Sequence, residues 1–566
     1  MPFESIGDYI VETLLHLDLK NVFGVPGHQT LPYYDAISRR STDITHNLLR
    51  TECNAGYAAD GYSRVTNKLG VVDATYGPGL ERIIPAISEA YASSVPILVI
   101  TSDVDLGLIP TKTDRSSASQ GVDQVALMKP ITKKQILLTD PNKIGDSLRY
   151  AINSAMTGRP GPVMLDVPNN LFWKQFNESE RKDLERDFYV NNVYRHYPPY
   201  RTIPQKSDID NLASLLSKAK RPIIIAGGGI YISQAMRELR EFANSYNIPV
   251  VTTISGKGTL PENNKLSLGV IGYLGSWSSA NRALEKADLI LAVGTKLGQY
   301  STGNWTYLNN KTVVRIDVDE SEFERQFKEE ISLLGDAKAT LAKLNSALKS
   351  IKRTYEWSND LKDLIYQREK EMIQKEKSEM FISTMLELNR IISAKDIIVT
   401  DASSSSGIAS AYINHADGHF RNFIAPRGMG GLGYGLPAGI GAAVASNEIG
   451  EGKVIVVSGD GGFGYTISEL ETLHRLNIPV KVIVLNDNAL GWIKAEQTKF
   501  FQKRFISSEF TRIDFEKLGS VFGLNSYSVQ KRTELASTLK EVFKDNDPAI
   551  VEVKGATYVP FEGLDL

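Results

Sequence analysis

Two acids at the ends of two successive apolar runs carry the clearest chemistry in this sequence. The run 454–457 breaks at Ser458-Gly459-Asp460-Gly461-Gly462, and the run 480–485 ends in Asn486-Asp487-Asn488. Between them Ile467, Leu470, Leu473 and Leu476 keep helical spacing, so the stretch reads as strand, helix, strand. A carboxylate at each strand tip lies on the side of an open α/β sheet where ligands bind. Thr466 and Glu469 have capping-box spacing, which predicts a helix N-terminus just behind the glycines. Exposed amides and the helix dipole there suit a phosphate. Asp460 and Asp487 are hard oxygen ligands, suited to a Mg²⁺ that bridges two phosphates. The competing reading is a plain βα turn, because a lone Gly-Asp-Gly is a weak signal. Two acids on successive strand tips favour a site.

The elements that must position such a site occupy a long chain. At 566 residues it should form about three or four domains, at roughly 150 residues each. Hydrophobic content of 42% and charge of 23% are those of a globular protein with ample core. A net charge of −2 gives no basic field for nucleic acid. The single Cys53 rules out an intramolecular disulfide framework and predicts a reducing, cytoplasmic compartment. The N-terminus reads as an amphipathic helix entering a strand, without the basic region and apolar core of a signal peptide. No apolar run approaches the roughly 20 residues of a membrane span.

In order, residues 1–180 alternate helix and strand patterns, as in a doubly wound sheet. Strands are expected near 22–25, 47–50, 70–75, 96–101 and 163–167. The turn 51–62 opens a helix whose small residues Ala55, Ala58 and Ala59 would let it pack closely on a neighbour. Residues 181–205 lack periodicity and read as a linker. A second α/β domain spans 206–350, with strands at 223–226, 249–252, 289–293 and 312–316. A charged helical connector follows over 351–380. The third α/β domain, 381–555, holds the opening stretch, and 556–566 is short enough to be a flap. The fold class is α/β, with three doubly wound parallel-sheet domains.

Several motifs resemble one family in the right order. Phe23-Gly24-Val25-Pro26-Gly27, Glu52 with Ala58-Ala59-Asp60-Gly61-Tyr62, and Gly77-Pro78-Gly79 look like the pyrimidine-binding domain of the acetolactate synthase, pyruvate oxidase and benzoylformate decarboxylase family. Gly430-Gly431-Leu432-Gly433-Tyr434-Gly435 and Gly459-Asp460-Gly461 resemble its diphosphate-binding domain. That family uses thiamine diphosphate (ThDP). Its signature pairs Gly-Asp-Gly with a later Asn-Asn, and here the second Asn is Asp487, which keeps a ligand oxygen. The resemblance implies that Glu52 hydrogen-bonds the aminopyrimidine ring nitrogen; the bland reading of Glu52 is a surface acid at a helix start. It implies that Gly27 and Gly77 line the cofactor, that the carbonyl of Gly430 takes its 4′-amino group, and that Leu432 wedges it bent. Ser404 and Ser405 would donate to the diphosphate, together with the amides of Gly461 and Gly462. Asp460, Asp487 and the carbonyl of Ala489 would bind Mg²⁺. Because Glu52 and Asp460 fall in different domains, the resemblance implies sites built between subunits, hence a homodimer or homotetramer.

The implied reaction is decarboxylation of a 2-oxo acid, or breakdown of a related acyl substrate, with carboligation of the enamine intermediate. The cofactor does that chemistry and the protein selects the outcome. Candidate selectors are His28, in the loop after the first strand, Gln120, and Glu496. Each of the first two has a bland alternative as a solvated or structural residue. Gly491-Trp492-Ile493-Lys494-Ala495-Glu496-Gln497 resembles a pyruvate oxidase segment, whereas biosynthetic acetolactate synthases place Trp at the Glu496 position. Where those synthases carry an Asp-Arg pair, this chain reads Gln299-Tyr300. Without that cation a second 2-oxo acid carboxylate is harder to hold. These departures point away from ordinary branched-chain biosynthesis. The glycine run 227–229 follows a strand and could approach FAD, or could be retained for packing alone. Alternatives are a pyruvate oxidase-like FAD enzyme, a 2-hydroxyacyl lyase, or a non-catalytic scaffold on the same fold.

Overall fold

Buried runs of Val, Ile and Leu form three six-stranded sheets. The computed structural model describes residues 3–558, apart from 112–117, 276, 350–354 and 415–419. The first sheet runs Thr45–Leu48, Asn21–Gly24, Gly70–Ala74, Ile97–Asp103, Val163–Pro168, Lys134–Leu137. The second runs Ile331–Leu334, Thr312–Asp317, Leu289–Val293, Pro222–Ala226, Val250–Thr252, Ser267–Val270. The third runs Phe423–Ile424, Ile397–Thr400, Val454–Gly459, Val480–Asn486, Ala549–Lys554, Asn525–Val529. Neighbouring strands are parallel in all three. Parallel sheets need crossovers and are covered on both faces, which is why the central strands read as unbroken apolar runs.

Each order contains one point where the chain leaves two adjacent strands in opposite directions, and such a crevice is where open α/β sheets bind ligands. In the first sheet that point lies between Asn21–Gly24 and Gly70–Ala74. In the third it lies between Ile397–Thr400 and Val454–Gly459. In the second it lies between Pro222–Ala226 and Leu289–Val293.

Contacts divide the chain into two units. One comprises Met1–Tyr200, Pro426–Gly450 and Thr466–Ile478; the other comprises Arg201–Ala425, Glu451–Tyr465 and Pro479–Leu566. The first unit holds the first sheet, and the second unit holds the other two. Within the first unit, helix Glu52–Thr66 lies against helix Gly435–Ile449. A Cβ on Gly441 would drive into the carbonyl of Ala58, and one on Gly61 into the carbonyl of Ala438. The close approach expected from the small residues of the first helix is therefore present.

Two local expectations need correction. The helix after the glycines is split into Asp460–Phe463 and Glu469–Leu476. The capping box at Thr466 and Glu469 does not form, because Ser468 is the N-cap and makes no side-chain cap bond. The carboxylate of Glu469 instead accepts from Thr472, Arg50 and Asn54. Part of the expected linker is also helical, at Glu178–Asp187. The connector forms helix Ser358–Ser378. Most of the expected C-terminal flap, from residue 559 on, lies outside the described residues. Among the described residues no helix is long and apolar enough to cross a membrane.

Candidate functional site

The expected site residues fall into two groups, one in each unit. In the second unit, strand register sets Gly459 opposite Leu485, so Asp460 and Asp487 follow on neighbouring strand tips. Asp460 is 8% exposed, and the two carboxyls are close enough to share a hydrogen bond. Burial, and then the charge of Asp487, push Asp460 up to about 7, while the amides of Gly461 and Ala489 pull it down. Burial also raises Asp487, against Thr557, Asp460, the Ala489 amide and Lys494. Like charges this close cannot both ionise freely without a counter-charge. The donor set of two carboxylates beside the buried Ala489 could hold a hard divalent cation.

The neighbouring loop joins the same crevice. Asp401 follows strand Ile397–Thr400 and donates its amide to the Val457 carbonyl. A Cβ on Gly462 would lie 2.7 Å from the Asp401 carboxylate, which keeps that position glycine. Ser404 opens helix Ser404–Tyr412, and its buried hydroxyl has no partner among the described residues. Ser405 differs, because its hydroxyl bonds the carbonyls of Asp401 and Ala402, at 3.1 and 2.8 Å. A partnerless buried hydroxyl beside a glycine loop is what a phosphate oxygen would satisfy. Helix Gly491–Phe500 starts against Asp487, where a Cβ on Gly491 would lie 2.7 Å from Oδ2. Within it the Trp492 indole donates to Glu496 at 2.8 Å, which fixes the carboxylate's rotamer.

In the first unit Glu52 begins its helix and is 6% exposed. Thr51, not Glu52, caps that helix by accepting from the Asn54 amide at 3.2 Å. The Glu52 carboxylate stands 3.9 Å from the exposed Arg82 guanidinium. Glu469 brackets it from both sides in sequence: its carboxylate accepts from the Arg50 amide at 3.0 Å and from the Asn54 side chain at 2.6 Å. Burial raises the Glu469 carboxyl despite these donors.

Gly27 and Gly77 end the loops at the first sheet's switch point. A Cβ on Gly27 would collide with Thr75. Gly77 has φ of +64°, and a Cβ there would meet the Gln120 carbonyl, so only glycine fits comfortably. Gln120 is exposed and meets Gly77 through its backbone. His28 is exposed too, its ring 5.5 Å from that of Trp173. Gly430 has φ of +69°, and Leu432 beyond it is half-buried.

Sequence reasoning missed Gln124, which anchors the Gly77 turn. It is 1% exposed, accepts from the Gly77 amide at 3.0 Å and donates to the Ser102 carbonyl at 2.9 Å. Replacing it with Leu strands a buried amide and a buried carbonyl, which should cost about 1–3 kcal/mol. The expected result is a lower urea midpoint with an unchanged slope.

In the second sheet's crevice the glycine run is occupied by protein. A Cβ on Gly227 would strike the Gly294 carbonyl and Thr295, and one on Gly229 would lie 2.6 Å from Gly294 Cα. Packing between the two loops calls for glycine at 227 and 229. Nearby, Gln299 donates to Asn304 at 2.7 Å, and the exposed Tyr300 ring meets Tyr273 edge-on.

Comparison with known proteins agrees with this arrangement of sheets. Family models for thiamine pyrophosphate enzymes match three stretches: the N-terminal TPP-binding domain over 4–127, the central domain over 209–344, and the C-terminal TPP-binding domain over 401–553. The chain is 33% identical to the acetolactate synthase large subunit of Lactococcus lactis, across 96% of this chain and 91% of that one. It is 32% identical to a probable acetolactate synthase large subunit of Methanocaldococcus jannaschii, covering 96% and 90%. To the acetolactate synthase isozyme 2 large subunit of Escherichia coli it is 30% identical, covering 96% and 94%. The chain belongs to the thiamine diphosphate-dependent 2-oxo acid decarboxylases and carboligases of the acetolactate synthase and pyruvate oxidase family.

Proposed function

We propose that this enzyme decarboxylates a 2-oxo acid and ligates the remaining acyl unit to a second carbonyl, outside ordinary branched-chain biosynthesis. The observation that supports this reading is the buried Asp460–Asp487 pair, two strand-tip carboxyls that a divalent cation would let ionise together, beside a Ser404 hydroxyl with no partner among the described residues. Asp460, Asp487 and the Ala489 carbonyl would hold Mg²⁺. Ser404 and the amides of Gly461 and Gly462 would hold the diphosphate, with Ser405 limited to its backbone. Gly27, Gly77, the Gly430 carbonyl and Leu432 would seat the aminopyrimidine. When bound, ThDP supplies a carbanion equivalent and an electron sink for the loss of CO₂.

Glu52 would hydrogen-bond a ring nitrogen of the cofactor, and its burial would strengthen that hydrogen bond. Glu469 holds the Arg50 amide before it and the Asn54 side chain after it. His28, Gln120 and Glu496 are the proposed selectors of the second substrate. Of these Glu496 is best held, through Trp492. Gln299-Tyr300 supply no cation for an acceptor carboxylate, which favours an acceptor other than a 2-oxo acid. Domains 1–180, 206–350 and 381–555, a homodimer or homotetramer, and a cytoplasmic setting belong to the same reading.

A flavin oxidase is the second reading, supported by the Ile493-Lys494-Ala495-Glu496-Gln497 segment. A 2-oxo acid panel with ThDP and Mg²⁺, scoring CO₂, aldehyde, acyloin and peroxide together, separates the two. Acyloin without peroxide is expected. A yellow protein whose flavin is reduced by pyruvate would reverse the order. Glu496→Ala should change the aldehyde-to-acyloin ratio by about fivefold, the scale of one lost polar contact. An unchanged ratio removes Glu496 as a selector.

A further inference from the structure

Glu89 is a buried acid in an unfavourable place. It lies in helix Pro78–Ser93, just before the last turn, and is 1% exposed. An anion towards this end gains nothing from the helix dipole, so the helix itself gives no reason for it. Its carboxylate accepts three successive backbone amides: Gly428 at 2.8 Å, Met429 at 2.6 Å and Gly430 at 3.0 Å. Ser93 donates to it at 2.7 Å, and the Arg64 guanidinium lies 3.6 Å away. Burial would raise the Glu89 carboxyl, but Arg64, Ser93 and the loop amides hold it below its usual range. Arg64 is itself clamped by Asp60 at 2.6 Å, and Tyr434 donates to that same Asp60. Consecutive amides converging on one anion form a concave cradle, here filled by a protein carboxylate. Gly428 is seated tightly as well: a Cβ there would lie 2.7 Å from the Glu89 carbonyl.

We propose that Glu89 is a positioning residue that locks loop 428–430, and with it the Gly430 carbonyl and Leu432, in the conformation that receives the aminopyrimidine. This rests on the reading of Gly430 and Leu432 as the cofactor platform. Gly430 holds a positive φ that glycine adopts freely but does not enforce, and its amide is one of the three that Glu89 accepts. Ordering in place before the cofactor arrives would lower the cost of binding.

The test uses the full chain with Glu89→Gln, whose single side-chain oxygen cannot accept three amides, and Glu89→Asp, one methylene short. Three readouts are taken: amide hydrogen exchange of 426–434 in the apoenzyme, ThDP affinity from fluorescence quenching with Mg²⁺, and turnover at saturating ThDP. Glu89→Gln should speed exchange of that segment at least tenfold, weaken ThDP about tenfold and lower turnover, with Glu89→Asp intermediate. If Glu89→Gln does not fold, Glu89→Asp is scored on the same readouts. Unchanged exchange, or faster exchange with wild-type ThDP affinity and turnover, overturns the proposal. Leu432→Ala separates the premise. If that variant keeps ThDP affinity and turnover while Glu89→Gln still speeds exchange, the platform reading has failed, and the Glu89 contact stands as structural only.

Discussion

Glu52→Gln should abolish turnover while leaving the fold intact. The expected loss of CO₂ release is about 10²–10⁴-fold, the range removed with a positioned acid or base. The structure gives two reasons why the fold should survive. The helix that begins at Glu52 is capped by Thr51, and its start is held by Glu469 through the Arg50 amide and the Asn54 side chain. Gln also keeps the shape of Glu in a position that is 6% exposed, so no cavity opens. What changes is proton chemistry, because an amide cannot move between protonated and ionised forms. The thermal midpoint should stay within a few degrees of wild type, and ThDP should still bind by fluorescence quenching. Turnover above a tenth of wild type would remove Glu52 from the mechanism. A large fall in thermal stability would instead mean that the carboxylate is structural.

How much of this was legible in the sequence follows from where each residue finds its partners. Strands between two neighbours, such as Val454–Gly459 and Leu289–Val293, are buried on both faces and announced themselves as apolar runs. Most edge strands did not. Lys134–Leu137, Ile331–Leu334 and Asn525–Val529 each expose part of their length, and Phe423–Ile424 is too short to leave a pattern. Motif residues at strand tips were visible because turn chemistry and ligand chemistry demand the same types at fixed spacing. Gln124, Asp401 and Glu89 carry no such signature, since what they hold lies far away or in another loop. Glu469 shows the failure most clearly. Its spacing from Thr466 suggested a local cap, yet its carboxylate is used on Arg50 and Asn54, remote in sequence. The topological switch points also needed the structure, because strand order is not written in any single run.

Asp460→Asn should remove divalent-dependent cofactor binding and make the apoenzyme less sensitive to pH. Changing residues outside a metal's ligand shell costs about 10–100-fold in affinity, so losing a ligand carboxylate should cost about 100-fold or more. Titrating Mg²⁺ at fixed ThDP, with quenching as the signal, measures this. The pH dependence has a definite sign. Asp460 titrates near 7 because burial and Asp487 disfavour its charged form. A carboxyl whose folded value is raised contributes stability that is fully present below its ordinary range near 4 and is lost as pH rises toward 7. The apoenzyme should therefore lose stability between about pH 4 and 7 from this pair, by at most about 4 kcal/mol for a shift of this size. Asp460→Asn removes the repulsion, so its apo thermal midpoint at pH 8 should exceed that of wild type. Cation binding runs the opposite way in wild type. It needs both carboxylates ionised, so Mg²⁺ affinity should fall as pH drops through about 7, and the variant should lose that inflection. If Mg²⁺ affinity in wild type is flat from pH 6 to 8, or if Asp460→Asn binds Mg²⁺–ThDP normally, the two strand-tip acids are not the metal pair. Their burial together would then need another explanation than a cation.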